Sequence, residues 1–137
     1  MKLLIDSSVF VAFFNDTDIF HKQSLGFFEK LLKRKSVDIV LPILVFLEII
    51  NVLHKKTSKF DEKRLLQAFN DYEKIDLGFD SAKEIIAIFK KVKLKTSDAI
   101  ILASAVLYDT TLITWDERFK KEAEKFVVVQ NPTTFLK

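Results

Sequence analysis

The chain of 137 residues contains no cysteine, and it has only two glycines, two prolines and two histidines. Without cysteine there is no disulfide framework and no thiolate metal site, so a cytoplasmic location is expected. The scarcity of glycine and proline leaves little room for a linker, and the length suits a single domain, predicted to cover residues 1–137. Because no apolar run approaches the length of a membrane span, we expect a soluble protein without membrane contact.

Basic residues are clustered, although the formal net charge is only +3. The clusters are Lys30, Lys33, Arg34 and Lys35; Lys55, Lys56 and Lys59; and Lys90, Lys91, Lys93 and Lys95. Such clusters can contact the phosphates of a nucleic acid. They are also typical of solvated helix ends, where the helix dipole favours cations, and on charge alone this second interpretation is preferred.

The amino-terminal stretch combines a short apolar run with an acidic residue. Residues 3–5 form a continuous apolar run, typical of a strand buried on both faces of a parallel sheet. Asp6 follows directly, and a second apolar run predicts a helix from about Val9. Ligands bind at the carboxyl edge of parallel sheets, which makes Asp6 a candidate site residue. Capping of the helix by Asp6 or a neighbouring serine is an equally good explanation.

Short apolar runs alternate with amphipathic stretches along the rest of the chain. Further strands are predicted at residues 38–41, 75–77, 110–114 and 127–129, and helices at residues 18–34, 42–56 and 60–72. Three more helices are predicted from their start signals: one after a capping box formed by Ser81 and Glu84, one after a cap at Thr96 or Ser97, and one after residue 115. This alternation predicts a three-layer α/β/α fold, with a parallel sheet and helices on both of its faces.

Glu48 is the only acid in the predicted helix 42–56, which is apolar nearly all round and is expected to be buried. A buried carboxylate without a partner costs roughly several kcal/mol. No lysine or arginine lies three or four positions away, so the partner is expected from elsewhere in the fold or is a metal ion. Asn51, one turn further on, can donate a hydrogen bond. A partly exposed glutamate or a distant ion pair is the alternative.

Two further acids, Asp98 and Asp116, lie at the start of predicted helices. Asp98 falls in a first turn, where the helix dipole favours a negative charge without any further function. Asp116 lies just past the strand at 110–114, and it can equally cap the helix that follows. Thr114 and Glu117 also have the spacing of a capping box.

A parallel sheet sorts these acids between its two edges. Asp6 and Asp116 follow strands and belong to the carboxyl edge, whereas Asp38 and Asp109 precede strands and belong to the opposite edge. If the first, second and fourth strands are neighbours, four acids converge on one pocket: Asp6, Glu48, Asp98 and Asp116.

Four carboxylates in one pocket repel one another unless cations neutralise them. Oxygen ligands favour Mg²⁺ or Mn²⁺, and one or two such ions can activate water for hydrolysis of a phosphodiester. His21 and His54 offer little support for histidine chemistry, so both are predicted to be structural or surface residues.

The segments LLIDSSVFVA, LPILVFLEIINVL, LKTSDAIILASA and LITWDERF, in this order, resemble the PIN domain, most closely the VapC-like toxins of bacterial and archaeal toxin–antitoxin pairs. The resemblance implies a five-stranded parallel sheet of order 3-2-1-4-5 and a Mg²⁺- or Mn²⁺-dependent endoribonuclease. By motif position its catalytic and metal-binding acids are Asp6, Glu48, Asp98 and Asp116, with Thr114 as supporting hydroxyl. Ser7 and Asn51 are predicted as further supporting residues.

The same resemblance implies an RNA substrate, a homodimer and a hydrophobic groove for a segment of a VapB-like antitoxin. Six aromatic residues exceed what two helices of a small domain easily bury, so some are predicted to form an interface: Phe10, Phe13, Phe14, Phe20, Phe27 and Phe28. Trp115, where the family often has a smaller or polar residue, either stacks on a base or packs against a helix. The alternatives are a PIN-domain nuclease of RNA processing and a non-catalytic module that binds RNA or protein.

Overall fold

The computed structural model describes residues 1–57 and 60–137, and Lys59 of the second basic cluster lies outside these ranges. The strands are β1 (Lys2–Ile5), β2 (Asp38–Pro42), β3 (Glu73–Ile75), β4 (Thr111–Ile113) and β5 (Val129–Gln130). The helices are α1 (Ser7–Phe14), α2 (His21–Leu31), α3 (Ile43–Lys56), α4 (Glu62–Ala68), α5 (Ala82–Phe89), α6 (Thr96–Leu107), α7 (Glu117–Ala123) and α8 (Pro132–Phe135). None of the helices in these ranges is long and apolar enough to cross a membrane.

The five strands form one parallel sheet of order β3-β2-β1-β4-β5, with helices on both of its sides. This confirms the predicted fold class and strand order. The central strand is β1, in which Leu4 lies opposite Val40 of β2 and Leu112 of β4. All three side chains are fully buried, because both faces of the sheet are covered by helices. That burial explains why the first strand reads as a continuous apolar run.

Aromatic rings form much of the core on the α1–α2 side. The ring centroid of Phe10 lies 5.3 Å from that of Phe28 and 5.0 Å from that of Phe69, and the Phe27 centroid lies 5.9 Å from that of Phe135. Phe10, Phe27 and Phe28 are buried. Rings from α8 and the end of α4 complete this cluster, so the predicted interface can involve only the other three of the six: Phe13, Phe14 and Phe20.

Burial on α3 is confined to one stripe. Val45, Ile49 and Leu53, spaced four residues apart, are fully buried, whereas Ile43 and Leu47 are 49% and 50% exposed. The predicted burial of this helix on all sides is thus wrong. Only one of its sides packs into the core, and the other presents apolar side chains at the surface.

Several predicted boundaries also differ from the structure. The stretch predicted as a helix at 18–34 is helical only over His21–Leu31, because Asp18 accepts a hydrogen bond from the Phe20 amide at 2.8 Å and so forms a turn. The third strand occupies Glu73–Ile75 and not 75–77, and the fifth occupies Val129–Gln130 and not 127–129.

The predicted caps of α5 and α6 are not formed. Ser81 is at the N-cap position of α5, but its side chain makes no capping hydrogen bond, so the predicted capping box is wrong. In α6, Thr96 is already helical and Lys95 takes the N-cap position. Ala99 and Ala103 of α6 are buried, as their small size on one helix face predicts.

Candidate active site

The carboxyl ends of β1 and β4 lie side by side and bring Asp6 next to Thr114. Ile5 pairs with Ile113, and the backbone N–H of Asp6 donates to the Ile113 carbonyl at 2.8 Å. The next residues along the two strands are therefore neighbours. Thr114 Oγ1 donates a hydrogen bond to Asp6 Oδ2 at 2.9 Å. The hydroxyl predicted from the family resemblance is thus in direct contact with the first acid.

Ser8 is a second hydroxyl at this junction, and sequence reasoning missed its role. Its Oγ donates to Asp6 Oδ2 at 2.9 Å and accepts a hydrogen bond from the Trp115 amide at 3.1 Å. The alternative in which Asp6 caps α1 is not supported, because its side chain makes no capping hydrogen bond. Asp6 is instead held by two hydroxyls from two different elements.

Glu48 enters the site from α3 and is bound by the other serine. Ser7 Oγ donates to Glu48 Oε2 at 3.0 Å, and this contact replaces the hydrogen bond expected from the exposed Asn51. The second oxygen, Oε1, is buried and has no hydrogen-bond partner within the described ranges. A buried carboxylate oxygen without a donor is costly, so its position calls for an explanation.

Asp98 and Asp116 reach the site from the first turns of α6 and α7. Asp116 is the N-cap of α7: its Oδ1 accepts from the Phe119 amide at 3.0 Å, and its own amide donates to Thr114 Oγ1 at 3.0 Å. The capping interpretation of Asp116 is therefore correct as a description of its contacts. It does not exclude a role in the site, because the cap occupies one carboxylate oxygen.

All four predicted acids line one open pocket of about 330 Å³ at the carboxyl edge of the sheet. The remaining lining residues are Ser7, Ser8, Val11, Asp18, Phe20, Val52, Lys56, Lys95 and Trp115. In residues 1–57 and 60–137, however, no three acidic or histidine side chains are close enough to form a complete metal site. The predicted convergence is thus present as a shared pocket and not as a finished set of ligands.

Burial raises the pKa of two acids on the β1–α3 side of the pocket, Asp6 and Glu48. It raises the pKa of Asp6 above the usual range for aspartate, against the opposing effect of the hydrogen bonds from Thr114 and Ser8. The pKa of Glu48 is likewise raised by burial, against the hydrogen bond from Ser7, and the negative charge of Asp6 raises it further. Both carboxylates are therefore held where their charged form is disfavoured.

Asp98 is perturbed by burial first and then by the other acids. Its pKa is raised to about 6, mainly by loss of solvation; Lys95 lowers it, and the charges of Asp6, Glu48 and Asp116 raise it. These three charges act on Asp98 because all four side chains line the same pocket. A cation bound among them would relieve the cost of their charged forms.

The donor set is of the type that hard divalent cations prefer. Apart from Lys56, Lys95 and Trp115, the polar side chains of the pocket offer carboxylate and hydroxyl oxygens, and among the lining residues there is no thiolate or imidazole. The unpaired Oε1 of Glu48 is a buried acceptor of the kind that a metal ion satisfies. Asp6, Glu48, Asp98 and Asp116 line this pocket together with Asp18, and their carboxylates are its candidate ligands for such an ion.

Trp115 packs against α2 and the loop before it. Its ring stacks on Phe20 with 4.3 Å between centroids and 6° between planes, and its Nε1 donates to Ser24 Oγ at 2.8 Å. Ser24 is fully buried, so its hydrogen bond holds the indole in a fixed position. Of the two predicted roles for Trp115, packing against a helix is the one that these contacts show.

The two histidines lie outside the acid pocket. His21 Nδ1 is 2.8 Å from the carbonyl oxygen of Ala12, and His54 Nε2 is 2.7 Å from Glu62 Oε1. The first joins α2 to α1, and the second is an exposed pair between α3 and α4. The His21 contact is structural and the His54 contact lies at the surface, as predicted.

Fold and site together define a parallel α/β domain with a carboxylate pocket at the carboxyl ends of its central strands. The family model of the PIN domain matches residues 3–125, and the chain therefore belongs to the PIN domain family. No curated protein sequence matches it at a significant level.

Solved structures of similar fold include several toxin–antitoxin proteins. VapBC2 from Rickettsia felis, bound to a DNA fragment of its promoter, has a TM-score of 0.72 and 18% identity, covering 96% of this chain and 98% of the other. A toxin–antitoxin complex from Klebsiella pneumoniae has a TM-score of 0.70 and 23% identity, covering 95% and 97%. Mycobacterium tuberculosis VapC20, described as a sarcin-ricin loop cleaving toxin, has a TM-score of 0.70 and 16% identity, covering 93% and 98%. At these identities the comparison shows the shared fold.

Proposed function

We propose that this protein is a Mg²⁺- or Mn²⁺-dependent endoribonuclease that hydrolyses phosphodiester bonds in RNA. The observation that carries the proposal is the single pocket lined by Asp6, Glu48, Asp98 and Asp116, which combines clustered negative charge with a buried, unpaired Glu48 oxygen. Membership in the PIN domain family supports the same chemistry, as does the ribonuclease toxin among the similar structures.

In this proposal the four acids hold the ion, and the hydroxyl groups fix two of the acids in position. When bound, Mg²⁺ or Mn²⁺ supplies an activated water and stabilises the charge that develops on the phosphodiester. Ser8 and Thr114 both bind Oδ2 of Asp6 and so restrict the rotation of its carboxylate. Ser7 binds Oε2 of Glu48 and leaves Oε1 without a donor.

A cleavage assay on single-stranded and structured RNA tests this function directly. We expect cleavage with Mg²⁺ or Mn²⁺ and none after chelation with excess EDTA. Undiminished cleavage in EDTA would contradict the metal-dependent mechanism. The absence of cleavage with either ion would favour a module that binds RNA or protein without catalysis.

We further infer that the enzyme is the toxin of a toxin–antitoxin pair, acting in the cytoplasm as a homodimer that a VapB-like antitoxin binds. The exposed apolar side of the molecule supports a partner: Ile43, Leu47 and Leu66 are each about half exposed. Ile43 and Leu66 also line a groove of about 250 Å³, together with Leu41, Phe46, Phe69, Lys74, Ile75 and Asp76. Exposed apolar surface of this kind supports an interface with a partner. Similar folds occur in complexes of toxins with antitoxins.

Two measurements test the partners. The gene next to this one is expected to encode a small DNA-binding protein whose co-expression relieves the growth arrest that this chain alone causes in bacteria. Light scattering should report a dimer, and a monomer at high micromolar concentration would count against the homodimer.

A further inference from the structure

A second, smaller pocket adjoins the acid pocket on the side of α6 and α7. Its volume is about 220 Å³, and its lining residues are Leu94, Lys95, Asp98, Asp116, Arg118 and Phe119. Lys95, Asp98 and Asp116 also line the acid pocket, so the two cavities adjoin at these three residues. A ligand bound at the acids therefore lies next to the second cavity.

Within the part of the chain that the structure describes, the two cations of this second pocket are not held in place by a direct ion pair. Lys95 acts on the acids through its charge, which, against the larger effect of burial, lowers the pKa of Asp98 and of Glu48. Lys95 and Arg118 are exposed, and neither belongs to an ion pair in residues 1–57 and 60–137. Lys95 is the N-cap of α6 and Arg118 is the second residue of α7. A helix dipole disfavours cations at both positions, so local helix stability does not account for them either.

We propose that Lys95 and Arg118 bind the phosphate next to the scissile one in a single-stranded RNA, and that the second pocket is its binding site. This inference rests on the proposed nuclease function, which places the scissile phosphate at the four acids. Each nucleotide carries a backbone phosphate. A strand that crosses the acid pocket therefore brings a neighbouring phosphate to the end of that pocket, where the second pocket adjoins. A flexible single strand can reach both of these small, adjoining cavities.

The charges of the two pockets favour RNA over an acidic peptide. Asp98 and Asp116 form part of both walls and repel any anion, so a ligand gains from Lys95 and Arg118 only when the acids are neutralised. A metal ion held by the acids would supply that neutralisation. The proposed reaction places a phosphodiester at the acids, which RNA provides and an acidic peptide lacks.

The test is binding of a fluorescent single-stranded RNA oligonucleotide, followed by anisotropy at several salt concentrations. It is run in EDTA and again with Ca²⁺ to neutralise the acids. The variants are Lys95→Gln, Arg118→Gln and the double substitution. Lys121→Gln is the matched control, because this exposed lysine lies on the same helix as Arg118 and lines neither pocket.

Each substitution at Lys95 or Arg118 should lower the slope of log affinity against log salt by about 0.7, the value for one contact to a single strand. At about 0.1 M salt this slope corresponds to roughly fivefold weaker binding, with a wild-type Kd of about 10⁻⁴–10⁻⁶ M for non-specific binding. Lys121→Gln should bind like the wild type. In the cleavage assay the KM of Arg118→Gln should rise by the same factor while its kcat is retained.

Three outcomes would overturn the inference: no binding by the wild type in either condition, equal losses in Lys121→Gln and the pocket variants, or displacement of the RNA by an equal concentration of an oligoglutamate peptide. The two proposals fail separately. If RNA binding depends on Lys95 and Arg118 but nothing is cut with Mn²⁺, the nuclease proposal fails. If RNA is cut and both variants bind and cut like the wild type, the phosphate site alone is wrong.

Discussion

The acid pocket has two walls whose acids are held by different contacts: the first wall is formed by β1 and α3, and the second wall by α6 and α7. On the β1–α3 wall, Asp6 and Glu48 are held by hydroxyls while burial raises the pKa of both. On the α6–α7 wall, Asp98 and Asp116 lie at helix starts, where a negative charge is favoured or caps the helix. Helix capping explains Asp116, whereas burial raises the pKa of Asp98 as it does those of Asp6 and Glu48. The buried, unpaired Oε1 of Glu48 gives the first wall the stronger indication of function.

The largest expected effect is loss of activity on removing charge from the first wall. Asp6→Asn and Glu48→Gln keep the size of the side chain and remove metal-binding charge. The bound metal is expected to contribute several kcal/mol of transition-state stabilisation, so the cleavage rate should fall roughly 10³-fold in each variant. The free energy of unfolding of the metal-free protein should stay the same or rise, because a disfavoured charge is lost. Initial rates with Mn²⁺ and urea unfolding in EDTA measure the two effects.

Asp38→Asn is the matched control for these variants. Asp38 begins β2 at the opposite edge of the sheet and is exposed, so its charge lies away from the pocket. Cleavage by this variant should equal that of the wild type. If Asp6→Asn or Glu48→Gln also cuts at the wild-type rate, the assignment of the first wall is wrong.

The hydroxyl at the β4 end supports the first wall, and its removal should have the next largest effect. Thr114→Val keeps the shape of the side chain and removes both the donor to Asp6 and the acceptor for the Asp116 amide. A hydrogen bond to a charged group contributes about 2 kcal/mol, so the free energy of unfolding should fall by about that amount at neutral pH. Cleavage should fall as well, since the Asp6 carboxylate loses one of its two fixed contacts.

Thr110→Val tests whether the effect is specific to the site. Thr110 is buried at the other end of β4, and its hydroxyl makes only a long hydrogen bond of 3.4 Å to the Ala105 carbonyl. Its substitution should cost little stability and no activity. Thr114→Ser should restore most of both properties. Equal destabilisation by the two valine variants would mean that Thr114 is an ordinary buried threonine.

The pH dependence of stability provides a third comparison. The pKa of Asp98 is about 6 in the folded protein, against 3.8 for the unperturbed group. Between these values the folded state binds more protons than the unfolded chain, so this contribution to stability is fully present below pH 3.8 and is lost as the pH rises to about 6. Urea midpoints of the metal-free protein should therefore decline across this window less steeply in Asp98→Asn than in the wild type.

Saturating Mn²⁺ should remove the difference, because the bound ion favours the charged carboxylate. A wild-type protein and an Asp98→Asn variant with the same pH profile in EDTA would indicate that Asp98 is well solvated and is not affected by the charges of the other acids.

Much of the first wall was accessible from the sequence, whereas its contacts were not. The apolar run 3–5 followed by Asp6 predicts both a buried strand and an acid at the carboxyl edge, since these depend on local pattern. The partners of Asp6 depend on the register between β1 and β4, which joins residues 108 positions apart. For Glu48, reasoning within one helix suggested Asn51, but the donor is Ser7, 41 positions away.

The errors on α3 have a related cause. An apolar sequence on all sides predicts full burial, but the buried stripe is decided by what packs on the helix, and here only one side meets the core. The exposed side, with Ile43 and Leu47, is the surface for which we propose a partner. The strand order was implied by the family resemblance and not by the alternation of elements, which fixes parallel strands but not their order.

The smallest expected effect on stability, and the sharpest test of the second wall, concerns Asp116. Asparagine caps helices about as well as aspartate, so Asp116→Asn should change the free energy of unfolding in EDTA by no more than about 0.5 kcal/mol. If Asp116 also belongs to the metal-binding set, the rise in Tm caused by Mn²⁺ should shrink and cleavage should fall. Glu117→Gln is the control, because it lies beside the cap and outside the pocket, and it should keep both properties. An Asp116→Asn protein with the wild-type Mn²⁺ shift and wild-type cleavage would make Asp116 a helix cap only and leave three acids to hold the ion.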